Sequence, residues 1–334
     1  MRTVICDAPH RLAFTDRPRP AAPAPGWVAL DVHTIGICGT DYHIFEGRHP
    51  FLEYPRVIGH ELSGVVGEVG EGVALAVGTP VIVNPYLSCG ICVACRHGKP
   101  NCCVRIEVLG VHRDGGMCER ILVPEGNLYP AEGLSLTDAA AVEFLAIGAH
   151  AVRRSVAARG ARALVVGVGP IGIGTALFAR IAGLEVTLTD TSAERLEAMA
   201  AMGFTQAVLA GGAAEVLRFT GGDGFDVVFD ATGAAASIEA GFALVAHGGT
   251  YVLVSVVKDT ISFADPEFHK REMTLVGSRN ATRQDFEHVM ASMRAGMIPL
   301  ARLVTHQTTL EGVVRDLPRW AHDKAGLIKA VVVV

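Results

Sequence analysis

The chain has 334 residues, half of them apolar, which is enough for about two domains with large cores. Lys and Arg number 29 against 34 Asp and Glu, for a net charge of −5, and no basic run exceeds a pair such as Arg153-Arg154. This balance gives no electrostatic footing for nucleic acid or for an anionic membrane surface. The opening Met1-Arg2-Thr3-Val4-Ile5-Cys6-Asp7 lacks the apolar core of a secretion signal, so a cytoplasmic chain is expected.

The first half reads as strands. Short β-branched runs at 27–34, 62–69, 79–84 and 119–123 are separated by Gly, Pro and Asp, the texture of an irregular barrel. From about Leu145 strands and helices alternate. Strands are expected at 162–166, 185–190, 225–230, 250–256 and 274–277, with helices at 170–182, 192–202 and 235–244. Such alternation specifies an α/β, doubly wound parallel sheet. The segment 163–183 is apolar and about long enough to cross a bilayer, but its ordered glycines and proline predict a strand, a turn and a helix instead. A helix at 283–295 and strand-like ends at 303–307 and 328–334 return to the first domain. The expected domains are therefore 1–145 with 281–334, and 146–280.

Cys89, Cys92, Cys95 and Cys103 read C-x2-C-x2-C-x7-C, a spacing that lets one loop close four thiolates around a tetrahedral zinc. Eight cysteines in a chain with no export signal argue against a disulfide framework. Cys6, Cys102 and Cys118 read as buried or incidental thiols.

Gly167-Val168-Gly169-Pro170-Ile171-Gly172 follows an apolar strand and opens a helix, the context a dinucleotide fingerprint requires. Gly167 permits a sharp turn, Gly169 lets a pyrophosphate approach, and Gly172 lets helix and strand pack closely; the helix N-terminus then faces the phosphates. Asp190 ends the next strand, 18 residues beyond Gly172. There a carboxylate accepts from both adenosine ribose hydroxyls and repels a 2′-phosphate, which favours NAD over NADP. Arg195 speaks for the 2′-phosphate instead, and the plain structural role for Asp190 is a helix N-cap, one that Thr191 or Ser192 fills equally well.

Cys38 and His60 are a soft and a borderline donor suited to a zinc with an open position, and Glu61 and Glu143 compete for the third place. Alone, Cys38 would be a buried thiol and His60 a satisfied core histidine. However, Gly59-His60-Glu61-x2-Gly64-x5-Gly70-x2-Val73 resembles the zinc signature of the medium-chain alcohol dehydrogenases. Cys38-Gly39-Thr40-Asp41, the cysteine quartet and the glycine-rich turn recur in the same order in that superfamily, and the likeness runs the length of the chain.

The resemblance implies a GroES-like β-barrel carrying a catalytic and a structural zinc, and a Rossmann domain binding NAD(P). It makes Cys38 and His60 ligands of the catalytic zinc, puts the structural zinc on the quartet, and makes Thr40 and His43 a proton relay. It also implies a homotetramer or homodimer, with the strand near 250–256 at the subunit edge. Val142-Glu143-Phe144-Leu145 resembles the Glu-Pro-Leu segment of polyol and sugar dehydrogenases, with Phe144 in place of proline. Glu143 is then a direct or water-mediated zinc ligand and Glu61 the other candidate, the two exchanging during turnover.

Val108-Leu109-Gly110-Val111-His112-x-Asp114-Gly115-Gly116 and Gly277-Ser278-Arg279-Asn280 look most like hexonate dehydrogenases, which oxidise the 5-hydroxyl of L-galactonate or L-gulonate. Arg279, Arg113 or Arg48 would anchor the carboxylate of such a sugar acid. The rival expectations are a sorbitol-type neutral-polyol dehydrogenase, a threonine or simple alcohol dehydrogenase, and a non-catalytic, crystallin-like nucleotide-binding protein.

Overall fold

A computed structural model describes residues 1–49 and 52–334. It comprises two compact units, Met1–Glu143 with Thr282–Val334, and Phe144–Ala281. The helix Val142–Ser155 carries the chain from the first to the second.

In the first unit the strand Trp27–Ile37 is the hub. One edge pairs antiparallel with Glu61–Val69, running from Val28↔Val69 to Gly36↔Glu61. The other edge is shared by Arg120–Pro124 and Lys329–Val333, which pair with its first and last parts respectively. The order is completed by Val304–Thr309 beyond Lys329–Val333, and by Pro80–Val83 and Leu128–Pro130 beyond Glu61–Val69. Strands from residues 27–130 and from residues 304–333 thus meet in one sheet. Leu30, Ile35, Leu62, Val66, Val81 and Val332 lie in its apolar core, as the β-branched composition of these strands favours.

A hairpin and a helix are among the elements that lack a sequence expectation. The hairpin Arg2–Ala8 and Arg11–Asp16 turns at His10, whose φ of 61° is unusual for a residue other than glycine. The helix Val313–His322 contains Pro318, which obscures it. Its burial of Val313, Leu317 and Trp320 nevertheless follows the i, i+4, i+7 pattern.

The second unit is a six-stranded sheet, parallel throughout. Its order is Ala207–Leu209, Glu185–Asp190, Arg162–Val166, Phe225–Asp230, Val245–Leu253, Thr274–Gly277. Numbered along the chain this is 3-2-1-4-5-6, the doubly wound Rossmann order, which reverses between Arg162–Val166 and Phe225–Asp230. The strand expected at 250–256 is Val245–Leu253, which starts earlier because Val245 already pairs with Phe225; the register then shifts, and regular pairing resumes at Thr250↔Val227. It is also an interior strand: the helix Asp265–Lys270 carries the chain one position outward, and Thr274–Gly277 forms the sheet edge.

The apolar segment 163–183 forms the strand Arg162–Val166, a turn and the helix Pro170–Ile181. No helix among the described residues is long and apolar enough to cross a membrane. That helix packs closely on Val142–Ser155. A Cβ added at Gly148 would lie 2.4 Å from both the Gly174 carbonyl carbon and the Thr175 nitrogen, backbone atoms that cannot swing aside. Gly148→Val is therefore expected to destabilise the protein by about 1–3 kcal/mol in urea unfolding. Gly126→Ala, where an added Cβ meets nothing within 4 Å, should stay within about 0.5 kcal/mol of the parent.

Candidate metal centres and dinucleotide site

The ligand atoms of Cys89, Cys92, Cys95 and Cys103 lie within 4.8 Å of one another and can hold a metal ion. Cys92 Sγ is 3.5 Å from Cys95 Sγ and 3.8 Å from Cys103 Sγ. Backbone amides point at these sulfurs: Cys89 N and Arg105 N donate to Cys103 Sγ over 3.3 and 3.4 Å. The Ile91 amide draws the Cys89 thiol down to about 6, and the Cys95 amide lowers Cys92. Amides that favour thiolate over thiol prepare the loop for a cation. Cys102 is exposed and outside the cluster, while Cys6 and Cys118 are buried thiols that burial pushes up to about 11 and 12.

A second set, Cys38, His60 and Glu61, also brings its ligand atoms within 4.8 Å of one another. The fold places it at the end of the hub strand. Cys38 follows Trp27–Ile37 and caps the short helix Gly39–Phe45, while His60 and Glu61 open the paired strand. Buried Asp41 fixes the two segments together: its Oδ2 accepts from Cys38 N at 2.8 Å and its Oδ1 from Gly59 N at 3.1 Å. His60 Nδ1 is buried without a hydrogen bond, and the Lys329 ammonium pairs with Glu61 Oε2. A thiol, an imidazole and a carboxylate this close together are a donor set that suits zinc.

Three further residues complete the surroundings. Glu143 is buried but lies outside the tight set among the described residues, and burial pushes its carboxyl above the ordinary range. The buried Tyr86 hydroxyl donates to Glu143 Oε1. Lys329 Nζ donates to Glu61 Oε1 at 2.5 Å. Neither Tyr86 nor Lys329 was singled out in the sequence. The one available signal was a lone lysine in the apolar run Ile328 to Val334.

Thr40 Oγ1 is 3.9 Å from Cys38 Sγ, and His43, three residues further along the same helix, is exposed. Of the three arginines, Arg48 pairs with Glu46, and Arg113 sits 3.4 Å from Glu107 and over the Trp27 ring. Arg113 lines a separate cavity of about 610 Å³ that includes none of Cys38, His60 or Glu61.

In the second unit Gly167 has φ +84°, and a Cβ on Gly172 would come within 1.8 Å of the Gly167 carbonyl oxygen. A Cβ on Gly169 would meet nothing within 4 Å, leaving open space at a helix N-terminus that no side chain caps. Turn, close packing and free approach are thus divided among the three glycines as a dinucleotide requires. Asp190 braces the turn, accepting from Val168 N at 2.7 Å and from Ser192 N at 2.8 Å. The cap of the helix Ala193–Ala201 is Ser192, whose Oγ accepts from Arg195 N at 3.3 Å, so Asp190 is not that cap.

Residues 24–133 match the alcohol dehydrogenase GroES-like domain, and residues 170–295 match the zinc-binding dehydrogenase family. L-Galactonate-5-dehydrogenase of Escherichia coli (strain K12) is 40% identical over 337 residues, covering 99% of this chain and 98% of that protein. The chain belongs to the medium-chain zinc-binding alcohol dehydrogenases. Another relative in this family is 2-dehydro-3-deoxy-L-galactonate 5-dehydrogenase of Pseudoalteromonas atlantica, 33% identical over 298 residues and 87% of each chain. Among solved structures, the rspB dehydrogenase of E. coli CFT073, complexed with NADH, superposes with a TM-score of 0.94 at 29% identity, covering 100% of this chain and 99% of its own. This medium-chain dehydrogenase is an oxidoreductase with a GroES-like unit and a Rossmann unit.

Cys103→Ser should lower the zinc content by about one ion per chain, because three thiolates and a hydroxyl no longer form a closed tetrahedral site. Elemental analysis reads the loss, and limited proteolysis should find new cleavage near residues 89–103.

Proposed function

We propose that this dehydrogenase oxidises a secondary hydroxyl of a sugar acid of the L-galactonate or L-gulonate type and transfers the hydride to NAD. The observation that carries the reaction class is the Cys38, His60 and Glu61 donor set, whose ligand atoms lie within 4.8 Å of one another with His60 and Glu61 buried. These three residues would hold a catalytic zinc, and Cys89, Cys92, Cys95 and Cys103 a structural one. When bound, the catalytic zinc supplies Lewis-acid polarisation of the substrate hydroxyl, and NAD supplies the hydride-accepting ring.

The chain's own residues do the rest. Glu61 is the direct third donor, and Glu143, held outside the tight set by Tyr86, has the water-bridged place. Thr40, beside the Cys38 sulfur, takes the substrate's hydroxyl proton. His43 passes it to solvent, a task an imidazole performs near neutral pH. Gly169, Pro170 and Ile171 offer backbone to the pyrophosphate, with Gly167 and Gly172 shaping the turn. The Asp190 lone pairs not used by Val168 and Ser192 accept from the ribose hydroxyls, and its charge disfavours a 2′-phosphate. Arg195, half-buried on the next helix, is the residue that would favour NADP instead.

The substrate class is supported by the L-galactonate-5-dehydrogenase relative. Arg279 or Arg48 would anchor the carboxylate in this reading, with Arg113, which lines the separate cavity, as the other candidate. A neutral-polyol substrate is the second reading, supported by D-xylulose reductase A of Aspergillus niger at 30% identity over 93% of this chain. All eight cysteines are thiols, in keeping with a reducing cytoplasm. A homo-oligomer belongs to the same reading, with the exposed edge strand Thr274–Gly277 as the place where a second copy would add.

NAD reduction, with NADP in parallel, should be measured on L-galactonate, L-gulonate, sorbitol, galactitol, threonine and ethanol. A hexonate is expected to give the highest kcat/KM, with NAD preferred; turnover of neutral polyols alone would remove the anionic substrate and keep the zinc chemistry. Thr40→Val is expected to lower kcat by about 100-fold or more, with zinc content unchanged.

A further inference from the structure

Glu61 and Lys329 are 268 residues apart in sequence and adjacent in the barrel. Their exposures are 0% and 1%, so the pair is removed from water altogether. The route between them depends on a third residue. Gly36 lies opposite Glu61 in one strand pairing and opposite Val331 in the other, so it occupies the strand between the two charged side chains. A Cβ at Gly36 would come within 2.0 Å of Glu61 Oε2 and 3.1 Å of Glu61 Cδ. Gly36 has no positive φ, so it is needed here for space and not for backbone conformation. Glycine inside a strand marks such a close approach.

The surrounding charges show what the pair is for. Cys38, Asp41 and Glu143 are acidic groups around the same point, and Asp41 and Glu143 are buried. Buried carboxylates are tolerated only when paired, hydrogen-bonded or metal-coordinated. Asp41 has two backbone amides and Glu143 has Tyr86. Glu61 has the Lys329 ammonium, which donates to its Oε1 and pairs with its Oε2.

We propose that Lys329 is a positioning residue for the metal site: across the gap left by Gly36, its ammonium fixes the Glu61 carboxylate in place beside Cys38 and His60. The inference rests on the zinc reading above. Because the ammonium also competes with a dication for the same carboxylate, Lys329 moderates the hold on the metal while keeping the metal-free barrel folded. Zinc should therefore stabilise the protein more when Lys329 is absent.

The test uses the full chain with zinc loaded and with zinc stripped, reading zinc per chain and Tm in each state. Cys38→Ser comes first: if it binds as much zinc as the parent, the catalytic-zinc reading falls, whatever Lys329 does. Where Cys38→Ser loses zinc, Lys329→Met is expected to lower the metal-free Tm by about 5–10 °C and to show a larger zinc-induced rise than the parent. Lys329→Arg should follow the parent. Gly36→Ala, which keeps both charges but displaces the Glu61 carboxylate from the donor set, should lower the metal-free Tm and diminish the zinc-induced rise. In a Glu61→Gln background, Lys329→Met should leave the zinc-induced rise unchanged.

A zinc-induced rise in Lys329→Met equal to the parent's, or the same increase with and without Glu61, would overturn the proposal. If Lys329→Met does not fold, folding of the uncharged Glu61→Gln/Lys329→Met double variant supports the pair. If that also fails, Gly36→Ala decides, and a parental zinc-induced rise there overturns it.

Discussion

The acidic groups gathered inside the first unit, Cys38, Asp41, Glu61 and Glu143, set the terms for everything around them. A β-barrel interior offers few polar partners, and an uncompensated buried carboxylate is strongly unfavourable. Each of the three carboxylates has its own solution here. Asp41 takes backbone amides from both ligand-bearing segments, Glu143 takes the Tyr86 hydroxyl, and Glu61 takes Lys329. Cys38, His60 and Glu61 are left with their ligand atoms within 4.8 Å of one another. A dication is the partner best suited to such a donor set, and the hub strand Trp27–Ile37 with its neighbours is the scaffold that keeps the groups from dispersing.

The second unit solves a different problem by different means. A dinucleotide brings its own charge, so the protein supplies backbone and space in place of a concentrated side-chain cluster. Gly167 supplies the turn, Gly172 the close packing and Gly169 the free approach, while Asp190 holds the turn through Val168. In the proposed reading the carboxylate that ties the loop down would also read the ribose, so loop geometry and cofactor choice would depend on the same side chain.

How much of this was legible depends on the range of the interactions. The Rossmann strands and the glycine-rich turn rest on local signals, apolar β-branched runs and ordered glycines, and four of the five expected strands fall where their sequence patterns end. The cysteine quartet is likewise local, closing within one loop. Val245–Leu253 was less legible because Gly248-Gly249 weakens propensity that its neighbours restore, and Val313–His322 was hidden by its internal proline. Tyr86 was not legible at all, and Lys329 had only the faint signal of a lone lysine in an apolar run. Their roles arise from pairings across the barrel, and neither residue carries a sign of the distant carboxylate it will meet. Gly36 lies beyond the strand expected at 27–34, and its place inside Trp27–Ile37 shows only in the structure.

Zinc K-edge X-ray absorption of the purified protein, combined with zinc per chain, tests the central account most directly. Two zincs sharing five thiolates predict an average of about 2.5 sulfur neighbours per zinc, with nitrogen or oxygen completing the shells. One zinc per chain surrounded by about four sulfurs would contradict it, leaving the quartet loaded and Cys38, His60 and Glu61 without a metal.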